Sequence, residues 1–288
     1  MNQAKSLVPA ALSFIFRPFL KEGLWQKKHP YSYYADSGST GIGATVNRQV
    51  EVTARRTDKN AIFFNGQSID LPTVATALNF LDSSPLGIKI NSPLPLGWGF
   101  GISGASALGA LLSADALWKL KTPRSKLVMM AHAAEITDKT GLGTVATQTT
   151  GGFLNKLKPG IPPRFQKIRL TGRKLYAVML GPIATKGILE SPESLSRISK
   201  AADSALKKIR EASRLGLDEI LKLSYDYCRQ SRLLTGRTES IIRKINRSGG
   251  IATMNILGEV VLANIPFGDH SFRQEELIIT GEIAQLEK

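Results

Sequence analysis

The 288-residue sequence contains one cysteine, Cys228. A lone thiol excludes an internal disulfide framework and a zinc site built from cysteines. No stretch approaches the roughly 18 consecutive apolar residues that span a bilayer. The apolar patch from Ala10 to Phe16 is cut short by Arg17-Pro18, and no small-residue cleavage pattern follows, so a signal peptide is not expected. Aromatic residues make up 7%, with no interleaving of rings and bases of the kind that stacks on single-stranded nucleic acid. Internal repeats and low-complexity tracts are also missing. These absences point to a soluble cytoplasmic protein with neither a membrane nor a nucleic acid as partner. With 42% hydrophobic and 21% charged residues, wholesale disorder is excluded and the chain can bury a sizeable core.

The formal charge is +15. It is spread along the chain: 15 Lys/Arg against 9 Asp/Glu in residues 1–150, and 23 against 14 in 151–288. A nucleic-acid binder would concentrate it in a stripe. The local exception is 153–174, with seven Lys/Arg and no acid. It reads either as a solvated loop and strand or as a wall attracting an anionic ligand. Alternation predicts a strand over 45–54. Ile62-Phe63-Phe64 followed by Asn65-Gly66 signals a hairpin. Short strands are expected at 87–90, 175–180, 251–254 and 260–265, and a last one at 277–281. Helices are expected at 103–120, from Thr122-Pro123 to about 137, from Ser191-Pro192 to about 213, at 217–234 and at 239–246. This irregular mixture predicts an α+β fold, not a doubly wound sheet. The Pro/Lys-rich segment 156–167 marks the expected domain boundary, giving domains 1–165 and 166–288.

Two motifs carry chemistry. Pro95-Leu-Gly97-Trp-Gly99-Phe-Gly101-Ile-Ser103-Gly104-Ala105-Ser106 leads into a helix. Glycines let backbone N–H groups turn inward, and a helix N-terminus adds donors and a positive dipole end, which together cradle phosphate. The loop lacks the Lys-Ser/Thr ending of a P-loop and the acid about 20 residues on of a dinucleotide fold. It serves equally as a tight turn before a closely packed helix. On the next helix, His132 and Glu135 are i,i+3 and share a face. Glu135 can offer a carboxylate to a Mg²⁺ riding on the phosphates. The alternative is a surface pair at a helix end.

These residues carry a resemblance. The segment 95–105 resembles the ATP-binding motif of the GHMP kinase superfamily, the galacto-, homoserine, mevalonate and phosphomevalonate kinases. Its Phe-Gly-x-Ser-Gly-Ala form is similar to that of the archaeal pantoate kinases. Ala131-His132-x-Ala-Glu135 with Thr140-Gly-Leu-Gly143 resembles the second signature of the superfamily. Gly38-Ser-x-Gly41-x-Gly43, Gly151-Gly152 with Lys158-Pro159-Gly160-x-Pro162, Leu180-Gly181 with Thr185-Lys186, and Met254-x-x-Leu257-Gly258 follow in order. The resemblance implies an N-terminal domain like domain 2 of ribosomal protein S5, carrying ATP, and a C-terminal ferredoxin-like α/β domain closing over the acceptor. It implies transfer of the ATP γ-phosphoryl to the 4-hydroxyl of (R)-pantoate in archaeal coenzyme A synthesis. Pro95, Gly97, Gly99, Gly101, Ser103, Gly104, Ala105 and Ser106 would grip the triphosphate, and Ser103 and Glu135 would hold Mg²⁺. His132 would orient the Glu135 region or touch the acceptor. Lys156 and Lys186 would neutralise the acceptor carboxylate or the transferring phosphoryl, and Ser13 and Ser39 would line the acceptor pocket. A homodimer is expected on the same ground.

The departures are specific. Thr144 stands where the superfamily reads Asp, its usual general base, and a threonine cannot take a proton at neutral pH. Asp138, i,i+3 from Glu135, is the carboxylate that could substitute. Lys156 replaces an arginine, keeping the charge and losing the bidentate fork. The N-terminal Pro-Gly-His-x-Thr-Gly pattern is here Pro9-Ala-Ala-Leu-Ser13-Phe, and Thr40 replaces an arginine. The alternatives to a pantoate kinase are a GHMP kinase acting on another hydroxy acid and a catalytically weak nucleotide-binding homologue.

Overall fold

A computed structural model describes residues 2–81, 85–212 and 215–287. Two antiparallel-rich sheets, eight α-helices and a 3-10 helix at Tyr31–Tyr34 make up the described structure, in the irregular order an α+β fold requires. The first sheet is built on two long strands, β1 (Gln3–Phe19) and β2 (Gly38–Arg56), paired antiparallel along their length. β1 lies outside the sequence expectation, because its run of Leu, Ala, Ser and Phe has no clean alternation and carries Pro9 and Pro18. The expected strand 45–54 proves to be the middle of β2. The outer end of β2 pairs with β5 (Leu86–Asn91), which runs parallel to β3 (Ala61–Phe64). β3 closes on β4 (Gln67–Ser68) through Asn65-Gly66, both at positive φ, which is the expected hairpin. The inner end of β2, Gly41–Ala44, pairs with β6 (Phe153–Lys158), and β6 with β7 (Arg164–Ile168). The boundary expected at 165 therefore falls inside a hairpin, and β12 (Gln285–Leu286) returns from the C-terminal region to pair with β1.

One face of this sheet is covered by α1 (Pro72–Leu81), α2 (Ile102–Trp118), α3 (Arg124–Thr137) and the short α4 (Thr144–Thr150). α2 is buried on nearly every side because its residues are small or apolar, and such a helix belongs in the centre. α3 starts one residue later than Thr122-Pro123 suggests. Pro123 takes the N-cap position, while the Thr122 amide is held by Asp115 at 2.9 Å.

The second sheet has the order β11 (Arg273–Ile278), β8 (Lys174–Pro182), β10 (Gly258–Ala263), β9 (Ala252–Asn255), all antiparallel. Numbered along the chain this is 4-1-3-2, the ferredoxin-like arrangement the resemblance implies. Between β8 and β9 run α5 (Thr185–Glu190), α6 (Pro192–Glu211), α7 (Leu217–Gln230) and α8 (Gly236–Arg247). The helix predicted to reach Ser213 stops at Glu211, and Ser213 itself lies outside the described residues. α7 ends at Gln230, short of Leu234, since Arg232 turns to positive φ and Thr235 begins a new helix as its N-cap. The strand expected at 277–281 is β11, which starts and ends earlier, at Arg273 and Ile278, and β12 follows it.

α7 ties the two sheets together. The buried Tyr227 hydroxyl donates to the Phe16 carbonyl at 2.9 Å, and Ser224 donates to the Phe14 carbonyl at 2.8 Å. Tyr227→Phe removes this buried hydrogen bond and is expected to cost about 1–2 kcal/mol. Urea unfolding of the variant against the parent chain measures this; an unchanged midpoint would contradict it.

Candidate active site

A cavity of about 320 Å³ lies between the glycine-rich loop, the α3–α4 turn, β1, β2, β6 and α5. The loop enters α2 through three glycines at positive φ, Gly97, Gly99 and Gly101, the last being the N-cap of α2. That conformation strains any L-residue, which explains the glycines. Gly97, Gly99, Gly101, Ser103 and Gly104 line the cavity. Pro95 lies outside the lining, and Ala105 and Ser106 are sealed within the helix packing.

Glu135 forms the floor, 1% exposed. Its carboxylate is approached so closely by two backbones that a Cβ on Gly104 would lie 2.4 Å from Oε1, and one on Gly141 would lie 2.6 Å away. The Val145 amide, in the first turn of α4, donates to Oε2 at 3.2 Å, and the Thr144 side chain hydrogen-bonds to the same group. Burial nonetheless pushes the carboxyl up to about 7, against the pull of the Val145 amide and the Lys156 charge. This bond also explains α4, a threonine-rich segment of poor helix propensity where no helix is expected. Lys156 reaches the same floor from β6. Its Nζ is buried, has no hydrogen-bond partner among the described residues, and sits with the Ser39 Oγ against the Cα of Gly143. Burial lowers its ammonium to about 8, with Glu135 opposing.

The other candidates divide. Ser13, Ser39, Asp138, Thr144 and the exposed Lys186 line the cavity with Glu135 and Lys156. Asp138 is half-buried at the end of α3, with an Oδ2 that has no partner among the described residues, and burial raises its carboxyl. His132 is not on the cavity wall. It is fully buried, its Nε2–H donates to the Ser37 carbonyl at 2.9 Å, and Nδ1 has no partner among the described residues. His132 and Glu135 are therefore no surface pair. Asn255 escaped the sequence reading: it is buried and bonded to both the glycine loop and β1.

The fit to a divalent ion rests on Glu135. Among the described residues no three His, Cys, Asp or Glu side chains cluster as a metal cage. Mg²⁺ commonly binds through one or two carboxylates, with substrate phosphates and water completing its shell. A buried carboxyl beside a phosphate-cradling loop, with Ser103 on the same wall, suits that mode.

The comparisons with known proteins agree with this geometry. The model of the GHMP kinase N-terminal domain matches residues 72–152, which hold α1 to α4 and the glycine loop. A pantoate kinase of Methanospirillum hungatei is 26% identical over 235 residues, 79% of this chain and 78% of its own. A pantoate kinase of Methanocaldococcus jannaschii is 26% identical over 231 residues, 78% of this chain and 83% of its own. By the family match, residues 72–152 are similar to a GHMP kinase N-terminal domain. A solved phosphotransferase related to the CoA biosynthesis pathway shares the GHMP kinase fold at a TM-score of 0.83 and 20% identity, covering 99% of this chain and 98% of its own. Together these matches make the chain an ATP-dependent kinase, and the cavity lies where the glycine loop and the Glu135 segment meet. Among the described residues no helix is long and apolar enough to cross a membrane.

His132 gives the protein a pH signature. Burial, with the Lys156 charge, lowers its pKa from 6.5 to about 3. The unfolded chain takes up a proton below about pH 6.5 and the folded chain does not, so stability is lost as pH falls through that window. The limiting slope is about 1.4 kcal/mol per pH unit. Glu135, whose folded carboxyl holds its proton up to about 7, acts in the opposite sense between 4.5 and 7. His132→Gln is expected to flatten the acid loss of thermal midpoint between pH 6.5 and 4, and Glu135→Gln to steepen it. Melting curves against pH decide; parallel curves for parent and variants would refute the assignment.

Proposed function

We propose that this GHMP kinase transfers the γ-phosphoryl of ATP to the 4-hydroxyl of (R)-pantoate, giving 4-phosphopantoate for coenzyme A synthesis. The observation that carries this reading is the buried, unpartnered Lys156 ammonium beside Ser39 on the cavity floor. A desolvated cation with no hydrogen-bond partner is costly unless an anion comes to it. Pantoate brings a carboxylate on a short branched body, and the same wall carries Ile15, Ile42, Leu154 and Phe165. Two relatives named as pantoate kinases, aligned over most of their length, support the choice of acceptor.

In this reading residues 1–165 hold the nucleotide and 166–288 close over the acceptor. The backbone of 97–104 holds the triphosphate, with the N-terminus of α2 supplying its dipole. Glu135 and Ser103 hold Mg²⁺, which neutralises charge on the phosphates. Lys156 and Ser39 take the acceptor carboxylate, Ser13 lies along the acceptor, and Lys186, from α5, neutralises the transferring phosphoryl at the mouth. The acceptor hydroxyl attacks the γ-phosphorus, the bond to the β-phosphate oxygen breaks, and ADP leaves. Asp138 receives the hydroxyl proton through water. Because phosphoryl transfer has a loose transition state, positioning and charge neutralisation dominate, and Thr144 in place of a base slows the reaction without abolishing it. The setting is cytoplasmic.

The test is ADP release with D-pantoate and ATP. Turnover is expected, and its absence from the folded, nucleotide-binding protein would remove the reading. Lys156→Met is expected to lower kcat/KM for pantoate by about 10- to 100-fold, the range of a hydrogen bond to a charged group. Thr144→Asp is expected to raise kcat by at least about tenfold, the lower reach of a positioned base. An unchanged kcat in that variant would show that the proton step does not limit the rate.

A further inference from the structure

We infer that Asn255 is a positioning residue for the nucleotide loop, a role resting on the assignment of 97–104 to the triphosphate. Asn255 is the last residue of β9, in the second sheet, and is fully buried. Its side-chain amide spans two elements of the first half of the chain. Nδ2–H donates to the Gly99 carbonyl at 2.9 Å, and Oδ1 accepts the Ser13 amide at 3.1 Å. Beside it the Ile256 amide donates to the Ser13 carbonyl at 3.0 Å. Three residues on, Gly258 lies directly under the loop: a Cβ there would sit 2.0 Å from the Trp98 carbonyl oxygen. A Cβ on Gly99 would meet Asn255 Nδ2 and the Ile256 carbonyl, each at 3.0 Å. The turn after β9 is thus pressed against the loop where its backbone reverses.

The consequence follows from the planarity of the peptide. The carbonyl and the N–H of one trans peptide point in opposite directions. Holding the Gly99 carbonyl toward Asn255 therefore aims the next N–H, that of Phe100, away from the turn. A glycine at positive φ has several conformations within reach, and the Asn255 bond selects one of them. The same side chain grips Ser13 on the cavity wall. Asn255 thereby fixes the nucleotide loop relative to the strand that lines the acceptor side, which is the alignment in-line transfer requires. The loop is positioned by a residue more than 150 positions away in the sequence, on the other sheet.

Asn255→Asp is the selective probe. It keeps an oxygen for the Ser13 amide and replaces the donor facing Gly99 with a second acceptor. Calorimetry of the full chain with a non-hydrolysable ATP analogue is expected to show binding weakened by about tenfold or more, the equivalent of one lost buried hydrogen bond. The KM for the acceptor is expected to stay within about twofold. A residue that merely stabilises the fold would lower the melting temperature and leave the affinity of the folded protein unchanged. Parent-like nucleotide affinity in folded Asn255→Asp overturns the inference. Should that variant fail to fold, Asn255→Ser makes the same comparison without a charge. Hydrogen exchange in the parent chain adds an independent arm: a protected Ser13 amide is expected without nucleotide, and rapid exchange there overturns the bridge. Because the readout is nucleotide affinity, a parent chain that binds the analogue and fails to phosphorylate pantoate sinks the acceptor assignment alone.

Discussion

A carboxyl group with almost no access to water sits where α2, α3 and the turn into α4 converge, and the surrounding chain is arranged to accommodate it. Glu135 leaves no room for a Cβ at Gly104 or Gly141, so both backbones close onto the carboxylate. It accepts the first-turn amide of α4, the helix whose start sets Thr144 and Gly143 in place. Burying this charge is unfavourable by several kcal/mol unless it is compensated. The compensation within the chain is partial: two hydrogen bonds and the Lys156 ammonium, itself desolvated. The carboxyl rises and the ammonium falls because burial outweighs the attraction between them. In the proposed reading the missing charges come with the substrates: the cation of a polyphosphate would face Glu135, and the acceptor carboxylate would face Lys156.

Legibility from the sequence followed the range of the interactions. The glycine loop, the Glu135 helix and the hairpin at Asn65-Gly66 are set by neighbours a few residues apart, so their spacing reveals them. The mixed order of strands and helices likewise sufficed for the α+β class. β1 was hidden because it is buried on both faces and carries prolines at a bulge and near an end, so neither alternation nor strand propensity marks it. α4 was hidden because a contact with Glu135, not its own threonines, makes it a helix. The first charged residue after α4, Lys156, reads as part of a basic run; only the pairing of β6 with β2 turns it inward while Lys158 and Lys167 stay exposed.

His132 shows the same limit in reverse. Its i,i+3 spacing from Glu135 correctly implied a shared face, but a face can be shared in the core as well as at a site. The structure places the ring under the backbone of Ser37, where a Cβ on Gly38 would come within 3.1 Å of it. Spacing indicates which residues are neighbours; the medium around them decides whether they meet substrate. The basic run 153–174 divides in the same way. Its inward lysine belongs to the cavity, and of its outward members Arg164 and Lys167 lie on β7, at the edge of the sheet, where exposed cations discourage pairing with another strand.

The two departures at the cavity floor, threonine for aspartate at 144 and lysine for arginine at 156, are coupled through Glu135. An aspartate at 144 would place a second carboxylate beside a buried one, raising both unless a strong cation stood by. Arginine remains charged at any accessible pH, whereas a buried lysine loses its proton readily. A floor with Thr144 and Lys156 therefore carries less fixed charge of both signs than one with aspartate and arginine, and tolerates burial better before substrate arrives. The hydroxyl of Thr144 also donates where a carboxylate would repel, holding Glu135 in place. Such a floor favours binding over proton transfer, which is the direction a phosphoryl transfer governed by alignment can sustain.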